Sequence, residues 1–511
     1  MLKTIIMSMR YIKTNVCLLL IASISFQCKK SLLEIDQTIP TRTVENYYQT
    51  EAEALTAVIA TYTPLQAMYN GAAWHLGDIM SDDCDLGGGG GGDGLETAAL
   101  DNFTMDAFNP IVSLMWSQCY FGIYRANLVL EKIPLVPVMN EDIRNRSLAE
   151  AKFLRALYYF HLVRLYGDVP LYTNVISLED ASTIARSPKQ AVYDQVIADL
   201  KDAETVLPSS YPADEKGRAT SGAAKALMAN VYLWMGDKSN AAAKALEVIN
   251  SNQYSLWDNY AHNFKLQNEN GKESVFEIQY RNGNQTFSDY GQGQKLNTFF
   301  GPRFQYIVAS GGYGWNVPTL NFVQSYERTN PSDINTIVDK RRPSSMWMPG
   351  DTEDSLKYTQ PASLVGSPYG FNVRKYFVPV YNTEGDVGGW SCALNVPFIR
   401  YSEVLLIYAE AAGKTLGKPY IDQVRARAGL APLADALSDQ QYLDAVFNER
   451  RHEFAFEMHR WYDLLRYPDE NYFINVMRAS GKTNILPKHR YMPIPQSEID
   501  KDPNLTQNDG Y

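Results

Sequence analysis

Cysteine is scarce in this 511-residue chain: after Cys28 only Cys84, Cys119 and Cys392 remain, an odd number spread over more than 300 positions. A disulfide framework therefore cannot account for the fold. A large apolar core must, and a composition that is 45% hydrophobic is ample for one. Positive charge is also in deficit, with 47 Lys and Arg against 57 Asp and Glu and a net charge of −10. Such a surface repels phosphate at long range, and no basic stripe interleaves with aromatics, so nucleic acid is excluded as a partner. No apolar run reaches spanning length either: residues 16–24 fall far below the roughly 20 that a membrane-crossing helix needs.

Catalytic spacings are missing as well. His452 and Glu453 begin an HExxH pattern, but position 456 is Phe, so the second zinc ligand one helical turn later is absent. Gly413-Lys414-Thr415 and Gly481-Lys482-Thr483 end like phosphate-binding loops, yet Tyr408 and Val476 stand where the first glycine belongs. Gly87, Gly89 and Gly92 meet GxGxxG trivially inside six consecutive glycines, away from any strand-turn-helix unit. No GxSxG elbow occurs and the six histidines are scattered. A pair of carboxylates could meet in space to hydrolyse a glycoside, but no residue stands out as the acid. The chain reads as a non-enzyme.

What is present starts with Lys3, Arg10 and Lys13, a basic region ahead of the apolar run 16–24 and Cys28. That order reads as a signal peptide over 1–27, with Cys28 acylated and 28–44 a tether whose Leu32, Leu33 and Ile35 dock on the body. Gln27 occupies a position where lipoprotein signals usually carry a small residue. The alternative is a plain signal peptide with Cys28 incidental. Losing the three cations takes the mature chain to −13.

Helical periodicity dominates residues 45–251. Thr50 with Glu53 forms a capping-box pattern ahead of Leu55, Val58, Ile59, Tyr62 and Leu65, and Trp116, Tyr120, Ile123, Tyr124 and Leu128 repeat the apolar stripe. A long helix is expected over 141–166, ended by Gly167, and another with Ser187 as N-cap and Pro188 in its first turn. Residues 221–250 read as a tetratricopeptide-like hairpin broken at Gly236-Asp237, and 401–413 and 441–467 as degenerate repeats of it. Between 252 and 396 Gly, Pro, Asn and aromatics rise and strand-like runs such as "SVFEIQY" enter, which indicates an ordered, loop-rich, partly β insertion. Helix returns over 397–467, followed by a tail over 468–511.

Aromatics in glycine-rich loops are the binding candidates, because periodicity forces their burial least. Trp74, Tyr290, Phe304, Tyr313, Trp315 and Trp347, with Arg303 as a polar partner, suit a sugar ring whose C–H face stacks while polar groups meet its hydroxyls. Tyr69, Tyr306 and Trp390 share that setting. For each ring the alternative is loop anchoring or core. Asp82, Asp83 and Asp85, with Asp93, surround the glycine run and could offer oxygen ligands to Ca²⁺; a solvated acidic loop is the competing reading. Glu449, Arg450, Arg451, Glu453, Glu457, His459 and Arg460 read as an ion-pair network between helices, since Phe454, Phe456, Met458 and Trp461 interleave as core.

Six ordered segments carry a resemblance that spans nearly all of the mature chain. They are "CKKSLLEID", "AEAKFLRALYYFHLVRLYGDVPLY", "GRATSGAAKALMANVYLWMGD", "NVPFIRYSEVLLIYAEA", "ERRHEFAFEMHRWYDLLRY" and "YMPIPQSEIDKDPNLTQNDGY". The chain resembles the SusD/RagB family. That resemblance implies a mainly α scaffold of about four tetratricopeptide-like helix pairs, with an N-terminal region over 45–251, a C-terminal one over 252–511, and a loop-rich ligand face. It also implies an outer-membrane, surface-exposed lipoprotein that binds a glycan without hydrolysing it and passes it to a SusC-like TonB-dependent transporter. Cys28 takes the role of the lipidated residue, no cofactor is implied, and calcium occurs in some members. Capture of peptide by the same type of transporter partner, or a tetratricopeptide-like scaffold for protein partners, are the alternatives.

Overall fold

The computed structural model describes residues 47–282, 292–380 and 391–511. The chain divides into two units, Met1–Gln49 and Thr50–Tyr511, and only 47–49 of the first are described. Cys28 and the tether lie outside the described residues.

Local capping sets where the helices of the second unit begin. Thr50 Oγ1 accepts the Glu53 N–H at 3.3 Å and Glu53 Oε2 accepts the Thr50 N–H at 3.1 Å, which opens α1 (Glu51–Gly71). Asn109 caps α2 (Pro110–Lys132), whose Pro110 gives up an N–H that has no helical partner anyway. Asn140 caps α3 (Glu141–Tyr166), and Gly167 ends it at φ 74, a conformation that costs glycine nothing. Ser187 does not cap the next helix, because its backbone is engaged in a bridge with Val169. Asp168 reaches in instead, and its Oδ1 accepts the Lys189 N–H at 2.8 Å at the start of α4 (Lys189–Val206).

The hairpin follows as α5 (Ser221–Trp234) and α6 (Lys238–Asn250). After the insertion come α7 (Tyr401–Arg427), broken internally at Gly413, and α8 (Asp439–Glu453), which a second capping box of Ser438 and Gln441 opens. Each of these eight helices packs on the next in order, which makes four helix pairs among the described residues. Spacing overstates burial at two positions: Ile59 and Tyr124 are 52% and 42% exposed, at the outer edges of α1 and α2 among the described residues.

The strands are few and short. β1 (Cys84–Gly87) pairs antiparallel with β3 (Trp315–Pro318), and β2 (Ser274–Ile278) with β4 (Val396–Arg400). The second ladder joins the two ends of the insertion, so 279–395 leaves the scaffold and returns to it at one stem.

A buried ion cluster pins the insertion down. Among the described residues, Arg341, Lys375, Arg400, Arg425 and Arg427 meet the buried Asp339, Glu273, Glu449, Glu453 and Glu457, and Arg425 also pairs at the rim with the half-exposed Glu327. Glu449 and Glu453 lie one turn apart on α8, and Asp339, Arg341 and Lys375 come from the insertion. The mixed-charge helix therefore ties insertion to scaffold as well as helix to helix.

Candidate functional site: an aromatic platform on the insertion

The site is built on the ladder of β1 and β3, where Gly87 stands opposite Trp315. Just beyond it the Gly88 N–H donates to Gly314 O at 2.7 Å. Gly88 has φ +55, and a Cβ there would lie 2.5 Å from Trp315 Cδ1, so only glycine lets the loop cross the edge of the indole. Asp93 closes that loop. Its carboxylate accepts the Gly89 N–H at 2.7 Å, the Trp315 Nε1–H at 3.4 Å and two N–H groups of Arg303. Burial pushes the Asp93 carboxyl up, but the Arg303 guanidinium and the Gly89 N–H outweigh it and hold it below the usual aspartate range. Arg303 also donates to Tyr313 O at 3.0 Å and lies 4.6 Å over the Phe304 ring.

Beside this ion pair Phe299, Tyr313 and Trp315 pack on one another, and Phe304 lies across the Arg303 guanidinium. Tyr313 and Trp315 have centroids 4.9 Å apart, and Phe299 packs 5.1 Å from Trp315 and edge-on to Tyr313. Tyr313 and Trp315 are partly buried, whereas Phe304 and Tyr306 reach into solvent at 60% and 79% exposure. The turn at Gly366 packs directly on Gly88, and Tyr369 beyond it is half exposed. Beneath, Asn316 sits at φ 58 with its amide donating to Asp78 Oδ2 at 3.0 Å, while Asp78 Oδ1 accepts the Met458 N–H at 2.9 Å. Burial raises the Asp78 carboxyl to about 7. Flat apolar faces edged by a few fixed polar groups can stack on a ring-shaped ligand with little reorganisation.

Of the candidates read from sequence, Arg303, Phe304, Tyr313 and Trp315 come together here, and the exposed Tyr306 stands nearby in the same loop against Gly311. Trp74 is not on the exposed surface: it is buried beneath Trp315, near-parallel to it at 6.1 Å, with its indole N–H donated to Asn70 O. Trp347 is enclosed elsewhere, between Tyr358 and Phe377, with the Arg374 guanidinium 3.7 Å over its ring. Tyr69 is core, edge-on to His161 and Phe398. Tyr290 and Trp390 lie outside the described residues.

The acidic stretch is not a solvated loop. Asp82 and Asp83 are buried, Asp82 paired with Arg451 and Arg460 and Asp83 with Arg451 at 2.6 Å. Burial raises the Asp82 carboxyl, but the two guanidiniums outweigh it and hold it below the usual range. Its oxygens are thus taken by arginine rather than free for calcium. Asp85 alone of the three is exposed, with Lys482 Nζ 3.9 Å away. Among the described residues no group of three or more His, Cys, Asp or Glu is arranged to hold a metal ion. Sequence reasoning missed the pairing of Asp93 with Arg303, 210 positions away, which no local spacing signals.

Fold and platform together define a helical-repeat protein that carries an exposed aromatic face on a loop-rich insertion. The comparisons agree with that class. A model of the SusD family matches residues 272–511, and a second, described as starch-binding associating with outer membrane, matches 93–233. A SusD-like protein of Formosa agariphila is 26% identical, covering 95% of this chain and 96% of its own. A solved laminarin-binding SusD-like protein superposes with a TM-score of 0.79 at 30% identity, over 91% of this chain and all of that one. Surface glycan-binding protein A of Bacteroides thetaiotaomicron, solved with laminarihexaose, gives a TM-score of 0.76 at 25% identity, over 90% of this chain and 99% of that one. The chain belongs to the SusD family.

Proposed function

We propose that this protein is a non-enzymatic, lipid-anchored outer-membrane protein that captures an oligo- or polysaccharide on the platform of Tyr313, Trp315, Phe304 and Tyr306. It delivers that glycan to a SusC-like TonB-dependent transporter. The observation that carries the reading is the ring pair Tyr313–Trp315, held partly open to solvent by β1–β3 pairing and by Asp93. Relatives named for laminarin and laminarihexaose support the ligand class, and the description of the matched family model supports the location. Among the described residues no helix is long and apolar enough to cross a membrane, and acylation of Cys28 would supply the attachment.

Calorimetry and thermal shift against glycan and peptide panels test the reading, since a ligand of the folded state raises its melting temperature by mass action. A glycan should bind without turnover, and Trp315→Ala should weaken it about thirtyfold, the effect of losing a central aromatic contact worth roughly 2 kcal/mol. Binding of peptides alone, or glycan binding that ignores Trp315→Ala, would remove the basis for the proposal.

A further inference from the structure

We infer that the platform selects uncharged glycans, and that Asp93 sets this selectivity by occupying Arg303, the cation that lies among its rings. The inference rests on the glycan-binding reading above and adds the charge class of the ligand.

An arginine beside an aromatic face is ordinarily the group that recognises a uronate or a sulfate, because its planar fork matches two acidic oxygens at once. Here the outer end of the fork is already used, and Nε, which has no hydrogen-bond partner among the described residues, is buried away from an approaching ligand. Nη1 and Nη2 both donate to Asp93, Nη1 also donates to Tyr313 O, and the guanidinium lies over Phe304. The pair lies at the rim of the platform, with side-chain exposures of 14% for Arg303 and 23% for Asp93. An anionic sugar approaching Arg303 would have to displace Asp93 and then sit beside that carboxylate, and like charges at such a distance repel. Displacement would also release the Gly89 and Trp315 N–H groups that Asp93 holds, and with them the loop over the indole. The acidic chain as a whole, at −10, opposes a polyanion at long range. A neutral sugar meets none of these costs and uses the rings directly.

The test uses the purified protein with two sets of polymers: laminarin, starch and galactomannan as neutral probes, and polygalacturonate as the polyanion, each at low and high salt. The wild type should bind a neutral polymer through Trp315 with an affinity that salt hardly changes. Asp93→Asn keeps an oxygen for the Gly89 N–H but frees the charge of Arg303. This variant should gain affinity for polygalacturonate by about tenfold or more, lost again at high salt, and lost in Asp93→Asn/Arg303→Gln. Tight, Trp315-dependent binding of polygalacturonate by the wild type would overturn the inference while leaving glycan capture standing. So would an Asp93→Asn variant that melts like the wild type, binds the neutral polymer and gains nothing for the polyanion. If Asp93→Asn does not fold, the wild type alone decides: polygalacturonate bound within about tenfold of the neutral polymer, with an affinity that falls steeply as salt rises, counts against the inference. Failure of every polymer to bind would instead defeat glycan capture itself.

Discussion

Glu453→Gln should be among the most damaging single changes in this protein, because it removes an anion on which three arginines converge without altering volume. Glu453 accepts from Arg427 Nη2 at 2.5 Å, Arg400 Nη1 at 2.7 Å and Arg341 Nη1 at 3.0 Å, and it is fully buried. Burial alone would raise its pKa, but those guanidiniums outweigh it and hold the carboxyl well below the usual range. The variant leaves Arg341, Arg400 and Arg427 short of the one anion they share, in a buried setting that solvates the excess positive charge poorly. Breaking a buried pair in this way costs about 3–5 kcal/mol. That is a large share of the roughly 5–15 kcal/mol that separates a folded domain from its unfolded chain. Urea unfolding measures it as a shift of the midpoint, with Lys501→Ala as the control. Lys501 pairs with Glu498 at 68% side-chain exposure, where such pairs contribute about 1 kcal/mol or less. Linkage gives a second readout. A depressed carboxyl stabilises above its unfolded pKa of about 4.3 and loses that contribution as pH falls through its folded value, so the gap between wild type and variant should narrow in acid. A midpoint shift no larger than that of Lys501→Ala would refute the reasoning, since it would mean that water reaches and screens the cluster.

Three further outcomes follow from the geometry. Trp347→Ala should destabilise by about 3–5 kcal/mol through the cavity it leaves beside Arg374 and Tyr358, with glycan affinity of the folded protein unchanged; a selective loss of affinity would place that ring on the ligand face after all. Gly88→Ala should cost roughly 1–2 kcal/mol at φ +55 and push the Trp315 indole aside, so that calorimetry reads weaker glycan binding; unchanged binding would show that the loop does not set the indole's position. Asp78→Asn tests a carboxyl that burial raises to about 7: a raised acid loses stability as pH climbs from its unfolded pKa of about 4 to its folded value. The variant should therefore gain on the wild type between pH 4 and 7, by up to about 1.4 kcal/mol per pH unit, and hold that gain above; a melting-temperature difference independent of pH would exclude it.

The helical scaffold was legible because its signals are local. Thr50 and Glu53 form their box within one turn, Gly167 ends α3 at a positive φ, and the repeat segments carry their apolar period along the chain. Local signals misled where the outcome depended on what arrives from elsewhere. Ser187 lost its capping role to Asp168, and Ile59 and Tyr124 kept the spacing of core residues yet stay exposed among the described residues.

The candidate site divides in the same way. Trp74, Trp315 and Trp347 all occupy loop-like contexts, and nothing within a few residues distinguishes the partly exposed ring from the two buried ones. Trp315 is held by a strand more than 200 positions earlier, Trp74 is roofed by Trp315, and Trp347 is closed over by Arg374 and Tyr358. Asp82 and Asp93 belong to one acidic stretch, yet Arg460 comes to the first from 378 positions away and Arg303 to the second from 210. Composition, period and capping chemistry determined by themselves that the chain would be a helical-repeat protein with an aromatic-rich insertion, since those properties are written in neighbouring residues. Which ring meets solvent and which carboxylate meets an arginine was decided only by the tertiary structure, because exposure and charge pairing are properties of what long-range packing brings alongside.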